Sequence, residues 1–488
     1  MITDRKGMME IEQASGIPVN ELMEQVGNAI ADRIRRELEP GKSILILCGK
    51  GNNGGDGFVV CRSLAKEYRC HVFLADGKPV SDAAKQARRR LPRNSMITQE
   101  ELPSEIAGAD LILDAVYGFS FHGSLPSHIK QLFSKINRSG KRVWSVDINS
   151  GCECDSDAGD SDAIRSELTL AIDCYKPFHL LRKEHRMFQK CELLPLNLPH
   201  PERTRFLEME EEKFFASFPH KSENAYKGSF GKTLIIGGCY GMAGALSLNL
   251  LGAKTVGAPY ITAAVPEEIY PAAASFSLTP VFHPFGQWTW HEVIEPLISN
   301  CSAIAFGSGA NYMHHKEDIL DLILQESRVP VILDAAALRL LSHNMYILRF
   351  AKAPVILTPH IGEFAAVTGL PISVIRDQKI KTASAFAKDY RVIVVLKGAN
   401  TIAAFPDGSL YINESGNPAL AQAGSGDLLT GIMAGILTMT RDVETAVCMA
   451  IWLHGHLADL GIQEHSVQGF PLESFPGLMD RLFKEHGF

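Results

Sequence analysis

Ser43-Ile-Leu-Ile-Leu-Cys-Gly-Lys-Gly-Asn-Asn-Gly-Gly-Asp-Gly57 decides the fold of the first half of the chain. The apolar run Ser43–Cys48 has the length of a buried strand, and it empties into glycines. Five glycines between Gly49 and Gly57 let the backbone take positive φ and approach a ligand closely. A helix is expected next, and its first amides would face an anion. The segment fits Gly-x-Gly-x-x-Gly through Gly49, Gly51 and Gly54, and Asp76 ends the following strand where a ribose-binding acid stands. Asn52, Asn53 and Asp56 exceed what a plain dinucleotide turn needs. They offer oxygens to a cation or polar contacts to a sugar-phosphate. A glycine turn without a ligand is the plainer alternative.

Working outward, apolar runs recur at Cys70–Ala75, Leu111–Val116, Arg142–Ile148 and Leu168–Asp173, with helices expected at Val59–Glu67 and Ile129–Ile136. Strands alternating with helices predict a mostly parallel sheet. The second half repeats the pattern, with strands expected at Thr233–Gly237, Tyr260–Val265, Ala303–Phe306, Val329–Asp334, Val355–Thr358, Val392–Lys397, Thr401–Phe405 and Leu410–Ile412. The last three are close enough for an antiparallel hairpin. Leu428–Thr438 and Val443–Leu460 read as helices. Pro195–Pro201 and the charged run Glu208–Lys213 mark a linker. The expectation is an α/β chain of two domains, 1–203 a doubly wound sheet and 212–488 a second α/β domain.

A length of 488 residues, 46% apolar and 21% charged, suits two or three globular domains and excludes wholesale disorder. A net charge of −7 speaks against a nucleic-acid binder, though not against an anionic small ligand. The ten cysteines lie mostly in apolar runs, and none forms a Cys-x-x-Cys pair, so reduced thiols in a cytoplasmic protein are expected. No signal peptide is read at Met1–Gly7. The most membrane-like stretch, Ala243–Val265, holds Asn249, Lys254 and Pro259, and reads as a buried helix followed by a strand.

Two more strand ends in the first half carry chemistry. Leu111–Asp114 is followed by Ala115-Val-Tyr-Gly118, and Val143–Asp147 by Ile148-Asn-Ser-Gly151. Parallel strands share one carboxyl edge, so Asn53, Asp114, Asp147 and Ser150 are expected to converge. These three segments resemble the NAD(P)H-hydrate epimerase domain over residues 1–200. The resemblance implies a Rossmann-like fold and epimerisation at the hydroxyl-bearing carbon of hydrated NADH or NADPH. It implies potassium held by Asn53, Asp114 and Ser150. It implies substrate contacts at Asn52, Asn53, Gly54, Gly55 and Asp56 and at Gly118, Phe119, Ser120, Phe121, His122, Gly123 and Ser124, with Asp147 the catalytic acid/base. This chain has Asn149 where the family usually has proline.

In the second half, Gly228-Ser-Phe-Gly-Lys-Thr233 imitates a phosphate-binding loop. It lacks the first glycine, since Tyr226 stands there, and it enters a strand instead of opening a helix. The stronger signal is Asn417-Pro-Ala-Leu-Ala-Gln-Ala-Gly-Ser-Gly-Asp427, a polar glycine loop opening an apolar helix. Amides from Gly424 to Gly426 can hold a travelling phosphoryl group. Asp427, at a helix start, is expected to have its pKa held low, ionised and ready to take a hydroxyl proton. Strand ends at Gly307–Asn311, Asp334, Thr358–Glu363 and Lys397–Thr401 add glycines, acids, His360 and a lysine.

From about residue 215 onward the chain resembles the ADP/ATP-dependent NAD(P)H-hydrate dehydratases of the ribokinase-like superfamily. It does so through Gly237–Gly244, Leu357–Glu363, Lys397-Gly398, Gly416-Asn-Pro and Gly424–Asp427. This implies hydrated-nucleotide contacts at Ala258, Gly309, His360 and Asp427, with Asp427 catalytic. It implies nucleotide contacts at Lys397, Gly398, Ala399, Asn400, Thr401 and Gly426. Together the halves resemble a bifunctional repair family acting on NAD(P)H hydrates with ADP as co-substrate. Potassium and magnesium are the expected ions, and a homo-oligomer is expected, with neither nucleic acid nor membrane as partner. Sequence physics leaves ADP and ATP both open. The alternative is a ribokinase-like small-molecule kinase with a non-catalytic N-terminal ligand-binding domain.

Overall fold

The computed structural model describes residues 1–488 except 157–158, 182–186, 202–203, 222 and 227–229. The chain divides into two compact units, Met1–Thr204 and Arg205–Phe488. The expected boundary at 203 and the start of the loop-like Gly228–Thr233 segment fall outside the described residues.

Among the described residues the first unit is built on six strands: β1 (Ser43–Cys48), β2 (Arg69–Leu74), β3 (Leu111–Ala115), β4 (Val143–Val146), β5 (Ser166–Ile172) and β6 (Phe188–Leu194). All pair in parallel in the order β2-β1-β3-β4-β5-β6. Because β1 is followed by β2 on one side while β3 lies on the other, the order reverses between β1 and β3. A crevice opens at the carboxyl ends of that pair. The glycine loop enters the helix Asn52–Leu64 at Asn52, seven residues before the expected Val59. That helix buries Phe58, Val59, Val60, Cys61 and Leu64 against the helix Val19–Arg35 and the sheet. A further helix, Arg5–Ala14, starts from the Asp4 cap.

Among the described residues the second unit carries ten strands: β7 (Phe206–Leu207), β8 (Thr233–Ile236), β9 (Ile261–Pro266), β10 (Val281–Phe285), β11 (Ala303–Phe306), β12 (Val331–Leu333), β13 (Val355–Leu357), β14 (Ile393–Leu396), β15 (Ile402–Ala404) and β16 (Leu410–Ile412). Their order is β10-β9-β8-β11-β12-β13-β14-β15-β16-β7. Pairing is parallel from β10 to β14, and in place of the expected antiparallel hairpin β14, β15 and β16 form a three-stranded antiparallel meander. Reversal between β8 and β11 places a second crevice at their carboxyl ends. Phe206–Leu207, inside the expected linker region, instead adds an edge strand to β16. Ala243–Val265 divides into the helix Ala243–Thr255 and β9, as expected. Among the described residues no helix is long and apolar enough to cross a membrane.

Gly252, Gly431 and Gly435 let two helices of this unit nearly touch. A Cβ on Gly431 would stand 2.0 Å from the Asn249 carbonyl, and one on Gly252 2.3 Å from that of Leu428. The helix Ser425–Met439 is thereby locked against Ala243–Thr255, which fixes its first turn over the crevice.

Candidate active sites

In the first unit the glycine loop leaves β1 beside the end of β3, and the Gly49 amide donates to the Ala115 carbonyl at 3.0 Å. The approach is so close that a Cβ on Gly49 would meet the Val116 carbonyl oxygen at 1.9 Å. Asp114, the penultimate residue of β3, has no exposed surface. Its carboxylate accepts from the Ser150 hydroxyl (2.6 Å) and amide (3.0 Å), the Ser145 hydroxyl (3.0 Å) and the Val116 amide (3.3 Å). Burial pushes its pKa up to about 6 against the pull of those donors. Ser150 also accepts from the Tyr117 amide at 2.8 Å, so the two loops are stitched together. The side-chain amide nitrogen of Asn53 is buried without a hydrogen-bond partner.

Asp147 follows β4 at φ 64°, a left-handed conformation that turns its side chain back over the sheet edge. Lys176, completely buried, donates to it at 2.6 Å and to the Ile172 carbonyl at 2.7 Å. The other carboxylate oxygen of Asp147 accepts from the Phe119 amide at 3.2 Å, tethering the Gly118–Ser124 loop to it. His179 reaches the Asp147 carbonyl at 2.7 Å.

A cavity of about 920 Å³ opens over these groups. Asn52, Asn53, Asp56 and Asp147 line it, together with Gly118, Phe119, Ser120 and Phe121 of the loop. His122, Gly123 and Ser124 do not. His122 turns to the Ser120 carbonyl, and the Gly123 amide is held by Glu153. Gly54 and Gly55 are buried inside the helix and serve packing. Added Cβ atoms there would strike the Gly49 carbonyl at 2.0 Å and the Met23 side chain at 2.4 Å. Asp76, the expected ribose acid, is paired with Lys50 at 3.1 Å.

Sequence reasoning missed Glu12 and Lys176, both on the cavity wall. Burial, reinforced by Asp147, raises the Glu12 pKa, and burial with Asp147 and Glu12 raises that of Asp56 well above normal. Lys176 carried a faint signal, a lone cation directly after an apolar strand. Glu12 carried none, because an acid on an amphipathic helix normally faces solvent.

In the second unit Asp334 is the hub. It lies 2% exposed after β12. One oxygen accepts from Thr358 (2.8 Å) and Lys397 (2.9 Å), the other from Thr430 (3.2 Å) and Ser308 (3.4 Å). Burial pulls the Lys397 ammonium down, but the Asp334, Glu363 and Asp427 carboxylates outweigh it and raise its pKa. Lys397 lies against Gly426, where a Cβ would stand 3.0 Å from its Nζ. Lys397, Gly398, Ala399, Asn400 and Thr401 form the turn between β14 and β15. Within it Asn400 is buried and donates to the Asn413 carbonyl at 3.0 Å.

Asp427 sits in the first turn of the helix Ser425–Met439, after Gly424 at φ 93°. The expectation of a depressed pKa is corrected. Burial, then the Asp334 charge, push it up to about 6, while Ser308 and Lys397 pull the other way. Removal from water and a neighbouring like charge outweigh the partial charge of a helix end. The Ser425 amide of the expected anion hole bonds to the Gln422 carbonyl at 3.4 Å, and the Ser425 hydroxyl lies 3.2 Å from His454. Burial pulls His454 down to about 4, so it is neutral at pH 7.

His360 caps the helix Ile361–Thr368. Its Nδ1 accepts from the Gly362 and Glu363 amides, and Glu363 accepts from the His360 amide in return. Gly309 follows β11 at the same sheet edge. There an added Cβ would meet the Met242 carbonyl at 2.8 Å, at the head of the helix Ala243–Thr255. Ala258 is not brought to this site. It precedes β9, and β9 and β8 are parallel with Ile261 opposite Thr233, so Ala258 lies at the opposite edge of the sheet. The residues that head that helix, not those that follow it, face Gly309.

Two family models match the chain. One described as NAD(P)H-hydrate dehydratase matches residues 233–475, and one described as YjeF-related protein N-terminus matches 19–178. The Bifunctional NAD(P)H-hydrate repair enzyme Nnr of Moorella thermoacetica is 30% identical over 471 residues, which cover 91% of this chain and 88% of that protein. The crystal structure of the ADP/ATP-dependent NAD(P)H-hydrate dehydratase from Bacillus subtilis, co-crystallised with ATP/Mg2+, superposes with a TM-score of 0.50 at 31% identity. It covers 57% of this chain and 97% of that one. In fold alone, a ribokinase-like superfamily protein from Enterococcus faecalis matches with a TM-score of 0.50 at 21% identity, covering 58% and 99%.

Proposed function

The chain belongs to the bifunctional NAD(P)H-hydrate repair enzymes, and from that premise we propose that each unit performs one half of the repair at the site just described. The first unit interconverts the R and S hydrates of NADH and NADPH, with Asp147 as acid/base. The second dehydrates the S hydrate. Asp427 takes the proton of its hydroxyl, that oxygen attacks the terminal phosphoryl group of ADP, and AMP departs. Phosphate then leaves the ring carbon with the C–O electron pair, the neighbouring ring carbon gives up a proton to solvent, and the double bond re-forms. The single observation that carries this reading is Asp427 beside Lys397 and Gly426 at the mouth of the second crevice, with a pKa of about 6. A base tuned that near neutrality is largely ionised at pH 7 yet still a useful proton acceptor.

Lys397 supports nucleotide binding as the cation facing the phosphates, and His360 presents an exposed ring to the hydrated nucleotide. Asp334 has both oxygens engaged by four donors, so a magnesium ion fits here as one carried chiefly by nucleotide phosphate oxygens. Its chemistry would be to neutralise phosphate charge.

Potassium is proposed at Asn53, Asp114 and Ser150. A hard-oxygen set of carboxylate, hydroxyl and amide suits it, and the unpartnered Asn53 amide, whose two ends are interchangeable, marks a group built for something absent from the protein itself. When bound, the cation would supply the positive charge that Asp114 lacks among its hydrogen-bond donors. Loop packing then holds Asn52, Asn53 and Asp56 against the substrate. A cytoplasmic enzyme fits the ten free thiols. A homo-oligomer is proposed, with exposed Phe276, Leu278 and Trp288 flanking the edge strand β10 as its supporting feature.

The kinase alternative is not favoured, because the family model over residues 233–475 is described as NAD(P)H-hydrate dehydratase and the Bacillus subtilis relative at 31% identity is a dehydratase. The deciding experiment is recovery of reduced-nicotinamide absorbance from prepared NADH hydrate with ADP and, separately, with ATP. Recovery with ADP, with AMP and phosphate formed in equal amounts, is expected. Phosphorylated hydrate accumulating without recovery would establish a kinase.

A further inference from the structure

Asp173, Cys174 and His200 meet on the first unit just past Ile172, whose amide donates to Asp147, and the repair chemistry proposed above gives them no role. Asp173 closes β5 at φ 61°, Cys174 follows it with no exposed surface, and His200 comes back from the segment after β6. The Cys174 Sγ lies 3.6 Å from His200 Nδ1 and 3.9 Å from an Asp173 carboxylate oxygen, and His200 Nε2 lies 3.4 Å from that same oxygen. One ligand atom from each residue falls within 4.8 Å of the others.

We infer that Asp173, Cys174 and His200 form a three-ligand site for a thiophilic divalent cation of the zinc class. Tetrahedral zinc with sulfur at about 2.3 Å and nitrogen or oxygen at about 2.0–2.1 Å has ligand-to-ligand edges of about 3.3–3.6 Å. The sulfur-to-nitrogen and nitrogen-to-oxygen separations involve different ring nitrogens, and with one atom from each residue the three lie within 4.8 Å of one another, so a turn of the partly exposed imidazole closes the remaining gap and commits one ring nitrogen to the ion. The donor set of thiolate, imidazole and carboxylate selects zinc, cobalt or their neighbours over potassium or magnesium. The carboxylate is already aimed. Its second oxygen accepts from the Leu196 amide at 3.0 Å, which leaves the first one facing the thiol. The site has an open side, since His200 is exposed and the fourth position falls to water. A nucleophilic cysteine is the competing use of such a trio, and the complete burial of Cys174 removes it, because no substrate carbon can reach the sulfur.

The test is cobalt titration of the full-length protein. One equivalent of Co2+ should give a thiolate-to-cobalt charge-transfer band that Zn2+ displaces. Cys174→Ser should abolish the band, and His200→Ala should weaken cobalt binding at least tenfold while the far-ultraviolet circular dichroism stays unchanged. The His200 side chain is part-buried and belongs to none of the apolar core clusters, so its removal leaves those cores intact. Zn2+ should also raise Tm in the parent and not in His200→Ala. Absence of the band, or a band that survives in Cys174→Ser, overturns the proposal, as does equal cobalt affinity in His200→Ala.

Discussion

Asp427 and Asp147 are both carboxylates at strand or helix ends, yet their surroundings assign them different partners. Asp147 faces a buried ammonium; Asp427 faces a second acid. Replacing Lys176 with Met would leave Asp147 buried and unpaired, a change that costs about 3–5 kcal/mol when one member of a buried pair is removed. The expected outcome is a lowered urea midpoint together with loss of R-to-S exchange, checked by chiral separation of the hydrates. For Asp427 the sign of the pH effect follows from its raised pKa. The base is lost as pH falls through about 6, so dehydration should show an acidic limb there. Asp334→Asn removes the like charge and frees Lys397 to face Asp427, so the limb should move to lower pH; a limb that stays in place would separate Asp334 from the base. The sequence made Asp427 visible because a Gly-Ser-Gly-Asp loop opens an apolar helix. It concealed the direction of the shift, because the burial that chiefly raises it comes from tertiary packing and the like charge that adds to it, Asp334, stands about ninety residues earlier in the chain.

Elements were legible where their periodicity was undisturbed. Ser43–Cys48 and Ala303–Phe306 keep their expected limits because both are short, apolar but for Ser43, and flanked by strands on both sides. The strands that escaped lie at edges. Phe188–Leu194 carries Gln189, Lys190 and Glu192 where water reaches it, and Val281–Phe285 contains Pro284, which a central strand would not tolerate. Two-residue Phe206–Leu207 is too short for any pattern. Glycines at helix contacts were equally silent, since their role appears only when two elements meet. Gly431→Ala would force a methyl onto the Asn249 carbonyl, 2.0 Å away, and overpacking of that kind costs about 1–3 kcal/mol. The expected result is a lower Tm for the second unit, with dehydration falling more than in a surface control such as Gly408→Asn. Gly54→Ala should do the same to the first unit.

At the scale of the whole chain, each unit has its own core and its own crevice where strand order reverses. Asp427→Ala should therefore abolish dehydration and leave epimerisation at the parent rate, and Asp147→Ala the reverse, measured on full-length protein. Joint loss in either variant would show the two sites to be dependent.

The Asp334 carboxylate gathers Ser308, Thr358 and Lys397 from beyond β11, β13 and β14, with Thr430 from the helix above, while standing itself at the end of β12. Four neighbouring strands are thus laced by one anion, and the width of the mouth they frame is a property of that anion. Amide hydrogens at those strand ends should exchange as a single cooperative group in the parent and quicken together in Asp334→Asn, one knot loosened and the whole seam with it.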